Sequence, residues 1–255
     1  VFLQTGEIQA VARCDGRAAL CELDCYELAQ NFGDTLRRHP EHYHRKAQRG
    51  QEGNQAGAGI ASAHDRVSFK HKITPADLAL DDLPRGMFLD RIEGALVEDY
   101  AEQPGEEAQC VARFAAGAVS KQYRLAGSRL TAAWGFGGGR PATFSTELNI
   151  AMPSCDGPAG RYIVAGRIPG GFGQPLDEQD VRELLLDDEH MGGGIRVTAW
   201  PPARIRARPL HTVSQSEDGF EKIMQCATLM LEWRPREQGA DPVVELEIYR
   251  KGARQ

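Results

Sequence analysis

The alternation of apolar and polar positions predicts a chain built mainly from short β-strands. Segments 7–13 and 17–24 are predicted strands around the turn Cys14-Asp15-Gly16, because Asp-Gly between apolar runs favours a hairpin. Ten further strands are predicted at 108–115, 118–126, 130–136, 142–152, 161–168, 181–188, 195–200, 204–210, 219–233 and 243–250. Glycine and proline clusters separate them, so the pattern indicates a β-sandwich or barrel.

The N-terminal part departs from this period. From Tyr26 onward, Leu28, Phe32 and Leu36 recur at helical spacing until Pro40, which predicts a short helical segment. Residues 48–66 are rich in Gly, Ala and Gln without an apolar period, which is typical of a flexible linker or loop. The expected organisation is therefore a hairpin and helical segment at 1–47, a linker at 48–66 and a β-sandwich at 67–255.

The predicted strand 142–152 has two different faces. Phe144 and Leu148 point to one side, and Glu147 and Asn149 point to the other, because side chains alternate along a strand. A neighbouring carboxylate and amide can hydrogen-bond sugar hydroxyls, which makes Glu147 and Asn149 candidate substrate-binding residues. The alternatives are a solvated outer face, or internal hydrogen bonds that fix the sheet.

The three tryptophans, Trp134, Trp200 and Trp233, are candidates for stacking on sugar rings. Trp134 lies beside Phe136 and a triple glycine, which makes it the preferred candidate. Trp233 ends an almost wholly apolar strand and is expected to be buried. The alternative for all three is an anchoring role in the core, where aromatic side chains contribute large buried surfaces.

Composition excludes several functional classes. The net charge of −6 argues against a nucleic-acid partner, which usually selects a basic face. No apolar run approaches the ~20 residues that span a bilayer, so no membrane association is expected. Six scattered cysteines without a Cys-x-x-Cys pair predict free thiols in a reducing, cytoplasmic compartment. The chain starts at Val1 rather than Met, so it is expected to be part of a longer protein.

Metal and cofactor signals are weak. The run Asp187-Asp188-Glu189-His190 offers oxygen ligands for calcium, against the alternative of an ordinary acidic surface turn. His39, His42 and His44 are a second candidate metal cluster, but basic neighbours disfavour a cation there. We expect no cofactor, with calcium as the alternative. The sequence contains no phosphate-binding glycine loop and no clear Ser-His-Asp arrangement.

Four sets of residues follow one another along the chain in a recognisable order. They are Glu22-Leu23-Asp24 with Asn31-Phe32, Thr35-Leu36, Arg37-Arg38, Pro40-Glu41 and Tyr43-His44; Arg85 with Phe88-Leu89-Asp90; Glu147-Leu148-Asn149; and Thr212-Val213-Ser214-Gln215-Ser216-Glu217 with Gly219-Phe220-Glu221, Gln225 and Trp233. Together they resemble the C-terminal region of family 57 glycoside hydrolases, which include α-amylases and 4-α-glucanotransferases. Arg91 and Cys226 depart from that pattern, since relatives often have His and Gly there.

The resemblance implies a large twisted β-sandwich similar to the galactose-mutarotase supersandwich. It also implies that the catalytic Glu and Asp belong to an N-terminal barrel, of which this chain shows no trace, so we expect no catalytic residue here. The implied function is a non-catalytic C-terminal domain of an enzyme acting on α-glucans or maltooligosaccharides, packed on that missing domain and shaping its cleft. The alternatives are a free-standing carbohydrate-binding module, or a mutarotase-like enzyme using Glu147 with His190 or His211 as acid and base.

Overall fold

The computed structural model describes residues 1–33, 35–41, 44, 72–75, 77–104, 110–155, 157–216 and 219–252. The chain divides into two compact units. The large unit comprises Val1–Thr35, Gly86–Pro209 and Cys226–Gln255, and the small unit comprises Leu36–Arg85 and Leu210–Gln225. The predicted linker 48–66 lies outside the described residues.

Strands account for most of the described chain, which confirms the mostly-β prediction. In chain order they are β1 (Phe2–Gln4), β2 (Ile8–Ala12), β3 (Leu20–Cys25), β4 (Gln30–Asn31), β5 (Met87–Ile92), β6 (Ala95–Leu96), β7 (Ala101–Glu102), β8 (Val111–Ala116), β9 (Val119–Ala126), β10 (Arg129–Phe136), β11 (Phe144–Ile150), β12 (Gly160–Val164), β13 (Arg167–Gly171), β14 (Leu176–Asp188), β15 (Gly193–Ser216), β16 (Gly219–Trp233) and β17 (Val243–Arg250). A short helix, α1 (Pro235–Gln238), follows β16.

The first group of strands runs β1-β2-β3-β5-β11-β16, with every pair antiparallel. The predicted N-terminal hairpin is confirmed, since β2 and β3 pair from Ile8↔Cys25 to Ala12↔Leu20. Side chains of β2 alternate between buried and half-buried, as expected for a sheet with one face on the core.

The predicted helix after Tyr26 is wrong. Ala29 has a positive φ of 48°, and its N–H donates to the Tyr26 carbonyl in a tight turn. Gln30–Asn31 then form β4, which pairs with β3, and the Phe32 N–H donates to the Leu23 carbonyl. Backbone groups that a helix would use locally are therefore committed to a distant strand, and the described residues 26–33 and 35–41 contain no helix.

The second group runs β8-β9-β10-β17-β15-β14-β12-β13. The predicted strands 195–200 and 204–210 form the single strand β15. Its first part, from Gly193 to Trp200, lies between β14 and β17. The single strand predicted at 161–168 is instead divided between β12 and β13. Ala165 and Gly166 adopt positive φ values and reverse the chain between these two strands.

Aromatic side chains from the two groups meet in one core. Phe88 of β5 lies 5.5 Å from Tyr123 of β9 and 6.0 Å from Trp134 of β10, measured between ring centres. Trp134 in turn lies 5.2 Å from Phe144 of β11 and 6.4 Å from Trp233 of β16. Burying each such side chain stabilises the fold by roughly 1.5–3 kcal/mol. These contacts pack the two groups face to face as a β-sandwich.

The small unit has its own apolar cluster, which consists of Ile73, Leu78, Val213 and Phe220. Within the same unit, Asp81 accepts hydrogen bonds from the Arg38 backbone N–H (2.8 Å) and from Arg85 Nε (3.0 Å). Burial alone would raise the pKa of Asp81, but the bonds from Arg85 and Arg38 hold it well below its ordinary value of 3.8.

The lowered pKa of Asp81 makes the small unit acid-sensitive. Because this pKa is lower in the folded protein than in the unfolded chain, the charged carboxylate stabilises the fold above pH 3.8, and that contribution is lost progressively as the pH falls below it. We expect Asp81→Asn to weaken the protection of Val213 and Phe220 amides at pH 6 and to flatten its decline between pH 5 and 3. Hydrogen exchange measures both. Asp82→Asn is the control for loss of one negative charge, and an unchanged pH slope in Asp81→Asn contradicts the prediction.

Gly194 is required where β15 meets β14. A Cβ at this position would lie 2.0 Å from the Leu186 carbonyl oxygen, so the two strands would have to separate. We expect Gly194→Ala to lower the free energy of unfolding by about 1–3 kcal/mol or more, since overpacking displaces backbone here. Gly6→Ala is the control, because no atom lies within 4 Å of its added Cβ. Urea unfolding of both variants measures the difference, and equal stabilities rule out the close contact.

Candidate functional site

A charged pair is buried between the facing sheets. Asp90 of β5 and Lys121 of β9 are each 1% exposed, and Lys121 Nζ lies 2.9 Å from Asp90 Oδ2. The ammonium also donates to the Phe88 carbonyl at 2.5 Å. Phe88 has a positive φ of 66° next to a register shift between β5 and β11, so Lys121 holds an irregular point of the sheet in place.

The Asp90 carboxylate has further donors, all from side chains. Tyr100 Oη (3.0 Å) and Trp134 Nε1 (2.8 Å) donate to Oδ2, and Thr146 Oγ1 (2.7 Å) donates to Oδ1. We call Asp90, Tyr100, Lys121, Trp134 and Thr146 the buried polar cluster. Burial and the Asp90 charge raise the pKa of Tyr100, while burial lowers the pKa of Lys121 against the opposing effect of Asp90. The carboxylate is satisfied and out of reach of solvent, which fits a structural role.

Trp134 does not have the exposed ring that sugar stacking needs. It is 4% exposed, its ring packs against Phe144 and Trp233, and its N–H is bonded to Asp90. The preferred sugar-stacking prediction therefore fails, and Trp134 is a core anchor. Trp233 is buried as predicted, whereas Trp200 is 51% exposed with the Arg182 guanidinium 4.7 Å from its ring centre.

Glu147 and Asn149 lie together, as the strand pattern predicts, but both are buried. Asn149 Nδ2 donates to Glu147 Oε1 and to the Gly86 carbonyl, each at 2.9 Å. Thr228 Oγ1 of β16 donates to Asn149 Oδ1 at 2.8 Å. The geometry matches the alternative of internal hydrogen bonds that fix the sheet, and a sugar contact of these residues stays a prediction.

The candidate calcium turn is occupied by protein donors. Asp188 accepts from the Ser154 backbone N–H (2.9 Å) and hydroxyl (2.6 Å), and from the backbone N–H groups of His190 and Met191. Asp187 accepts from Arg161, Tyr249 and Lys251. Across the part of the chain that the structure describes, no group of three or more His, Cys, Asp or Glu side chains is arranged to hold a metal. Of the candidate histidine cluster, His42 lies outside that part.

An open groove of about 630 Å³ lies in the large unit, on the same face of β11 as Glu147. Its lining includes Arg91, Ser145, Asp180, Arg204 and Glu232. We call this the arginine groove. These five residues come from β5, β11, β14, β16 and the second half of β15, and further polar side chains come from Arg234 and from α1.

Strand register places three of these residues in one row. Ser145 of β11 is directly opposite Arg91 of β5 on one side and Glu232 of β16 on the other. Directly opposed residues of antiparallel strands point to the same face. The row therefore presents a guanidinium, a hydroxyl and a carboxylate side by side, and Glu232 is paired with Arg206.

Asp180 lines the groove from a point where the backbone of β14 is irregular. It has a positive φ of 52°, and the pairing of β14 with β15 shifts register between Glu178 and Val181. Such a bulge adds an unpaired residue and redirects its side chain. The sequence contains no signal that predicts this bulge. It gives no indication that Arg91 lines a groove either, and shows this residue only as a departure from the family pattern.

The model of a protein-domain family described as "Alpha-amylase/4-alpha-glucanotransferase, C-terminal" matches residues 1–241. The chain belongs to this family. The sequence resemblance is thereby confirmed over nearly the whole chain.

Two named proteins share this sequence similarity over most of the chain. A protein named 4-alpha-glucanotransferase from Thermococcus kodakarensis is 25% identical over 255 residues, which cover 88% of this chain and 35% of the relative. A protein named alpha-amylase from Pyrococcus abyssi is 25% identical over 240 residues, with the same coverage of both chains. The family member described here thus spans about a third of the length of these relatives.

The fold also has a solved counterpart. The crystal structure of 4-alpha-glucanotransferase from Thermococcus litoralis superposes with a TM-score of 0.65 at 17% identity, over 97% of this chain and 39% of that one. At this identity the likeness shows the fold alone. No helix in the described ranges is long and apolar enough to cross a membrane.

The buried polar cluster predicts an asymmetric response to substitution. We expect Lys121→Met to lower the free energy of unfolding by about 3–5 kcal/mol, because it leaves the Asp90 charge buried without its partner. The double variant Asp90→Asn/Lys121→Met should recover part of that loss. Urea unfolding measures both. Arg129→Met is the control, since its exposed pair with Glu247 contributes at most about 1 kcal/mol. A Lys121→Met protein as stable as wild type contradicts a structural role for the pair.

Proposed function

We propose that this chain is the non-catalytic C-terminal β-sandwich domain of an α-glucan-acting enzyme of the α-amylase or 4-α-glucanotransferase type. The family match over residues 1–241 carries this proposal, together with relatives about three times as long. In that role the domain packs on a preceding catalytic domain and shapes its substrate cleft. The partner is thus the catalytic domain, and the glucan is reached through it.

Two partly buried carboxylates, Asp187 and Glu247, have lowered pKa values, which supports a non-catalytic role for them. Glycoside hydrolysis needs a general acid whose pKa is raised, facing a second carboxylate across the substrate. Burial would raise the pKa of Asp187, but hydrogen bonds from Lys251 and Tyr249 lower it below its ordinary value. Burial would likewise raise the pKa of Glu247, but the hydrogen bond and charge of Arg129 lower it below its ordinary value. Such displacements keep both groups charged, which is the opposite of what an acid catalyst requires.

All six cysteines are free thiols, which fits a reducing compartment. On this basis we propose a cytoplasmic location for the parent enzyme. Reduction should leave the unfolding transition of the chain unchanged, since no disulfide contributes to it.

The proposal is tested by separating this chain from the longer polypeptide that contains it. Incubated with maltoheptaose, the chain alone should yield no hydrolysis or transfer products, whereas the longer polypeptide should yield them. Lys121→Met in the longer polypeptide should shorten the half-life of that activity on heating, because the domain supports the cleft. Chromatography of the oligosaccharides measures both.

Two outcomes would overturn the proposal. One is formation of shorter or longer glucans by the chain alone. The other is accelerated mutarotation of an aldose by the chain, measured by polarimetry and lost in Glu147→Gln, which would make it a sugar-converting enzyme.

A further inference from the structure

The arginine groove carries a balanced set of charges. Among the described residues that line it, three are arginines (Arg91, Arg204 and Arg234) and three are carboxylates (Asp180, Glu232 and Glu237). A site for phosphate or another anion would concentrate cationic donors without competing carboxylates. Balanced donors and acceptors instead suit a neutral ligand with many hydroxyl groups, because each hydroxyl both donates and accepts a hydrogen bond.

Five polar side chains that line the groove form no side-chain hydrogen bond or ion pair within the described ranges, namely Arg91, Thr143, Ser145, Gln179 and Asp180. Of these, the Arg91 guanidinium is a charged donor, the Asp180 carboxylate is a charged acceptor, and the Ser145 hydroxyl can both donate and accept. The arginines and carboxylates elsewhere in the groove are paired, for example Arg204 with Asp177 at 2.6 Å. A donor, a hydroxyl and an acceptor are thus available in the same groove.

Asp180 provides an independent indication of a site. An aspartate with φ of 52° adopts a conformation that glycine tolerates better, so its backbone is held there at a cost by the bulge. Nothing in the described packing requires a carboxylate at this position, since the side chain is exposed. Strained residues of this kind concentrate at ligand sites, where the surrounding fold fixes their geometry.

We propose that the arginine groove binds a neutral oligosaccharide, with Arg91 donating to sugar oxygens and Asp180 accepting from sugar hydroxyls. Its volume of about 630 Å³ falls within the roughly 300–1,000 Å³ of small-ligand sites, enough for a short segment of a sugar chain. The choice of an α-1,4-linked glucan as ligand rests on the proposed function. The groove itself is inferred from its own charges and geometry.

The experiment titrates maltoheptaose into the chain and follows binding by isothermal calorimetry. We expect saturable binding, weakened about tenfold by Arg91→Ala, since hydrogen bonds to a charged group contribute more than neutral ones. Arg129→Ala is the matched control: this arginine lies on β10, is exposed, and pairs with Glu247 away from the groove. Its affinity should equal that of the wild type.

Asp180→Gly separates binding from folding. Glycine accepts the positive φ without strain, so the melting temperature should stay within about 2 °C of wild type. The affinity for maltoheptaose should nevertheless fall several-fold, because the accepting carboxylate is gone. A structural role for Asp180 would produce the reverse result, with lowered stability and unchanged affinity.

The remaining outcomes contradict the proposal that the groove binds a neutral oligosaccharide. Absence of maltoheptaose binding, or binding that Arg91→Ala and Asp180→Gly leave unchanged, overturns the groove proposal. Tighter binding of glucose 6-phosphate than of maltoheptaose overturns it too, because it identifies an anion site. These results leave the proposed function standing as long as the longer polypeptide acts on maltoheptaose. Binding of cellohexaose in place of maltoheptaose overturns the ligand assignment and counts against the proposed function as well.

Discussion

The buried ion pair of Asp90 and Lys121 constrains how the two halves of the sandwich meet. One carboxylate receives donors from β9, β10 and β11 and from Tyr100, and the ammonium also holds the irregular backbone at Phe88. Because strand side chains alternate, a slip of one residue in β9 would move Lys121 to the opposite face and leave Asp90 charged in an apolar core. We infer that the cluster selects one register among several that hydrophobic burial alone would accept.

The local pattern predicted most strands because one face of each lies on the core. The bounds of β16 and β17 agree with the sequence prediction residue for residue. Long-range pairing explains the failures: the helical spacing of Leu28 and Phe32 is overridden by the bonds of β4 to β3. Periodicity also predicts the strand face on which Glu147 lies, but not that this residue is buried. No sequence signal predicts the positive φ of Asp180. Trp134 is misread because its N–H serves a buried carboxylate 44 residues away.

The two faces of β11 serve different purposes. Phe144 and Thr146 face the core, where they contact Trp134 and Asp90. On the other face, hydrogen bonding changes along the strand, from the closed contacts of Glu147 and Asn149 to the open row at Ser145. In this family member, one face of β11 thus joins the packed core, and the open polar row on its other face lies only four residues from the fully hydrogen-bonded amide of Asn149.

The position of β17 has a consequence for synthesis of the protein. Val243–Arg250 lies between β10 and β15 and pairs with both. When these two strands leave the ribosome, each still has an edge that awaits a partner. About a hundred residues separate β10 from β17, so at roughly 5–20 residues per second the edge of β10 stays unpaired for about 5–20 seconds. During translation the unpaired strand edges of the incomplete sheet can pair with strands of other chains. We therefore expect chaperones that cover strand edges to act in this interval.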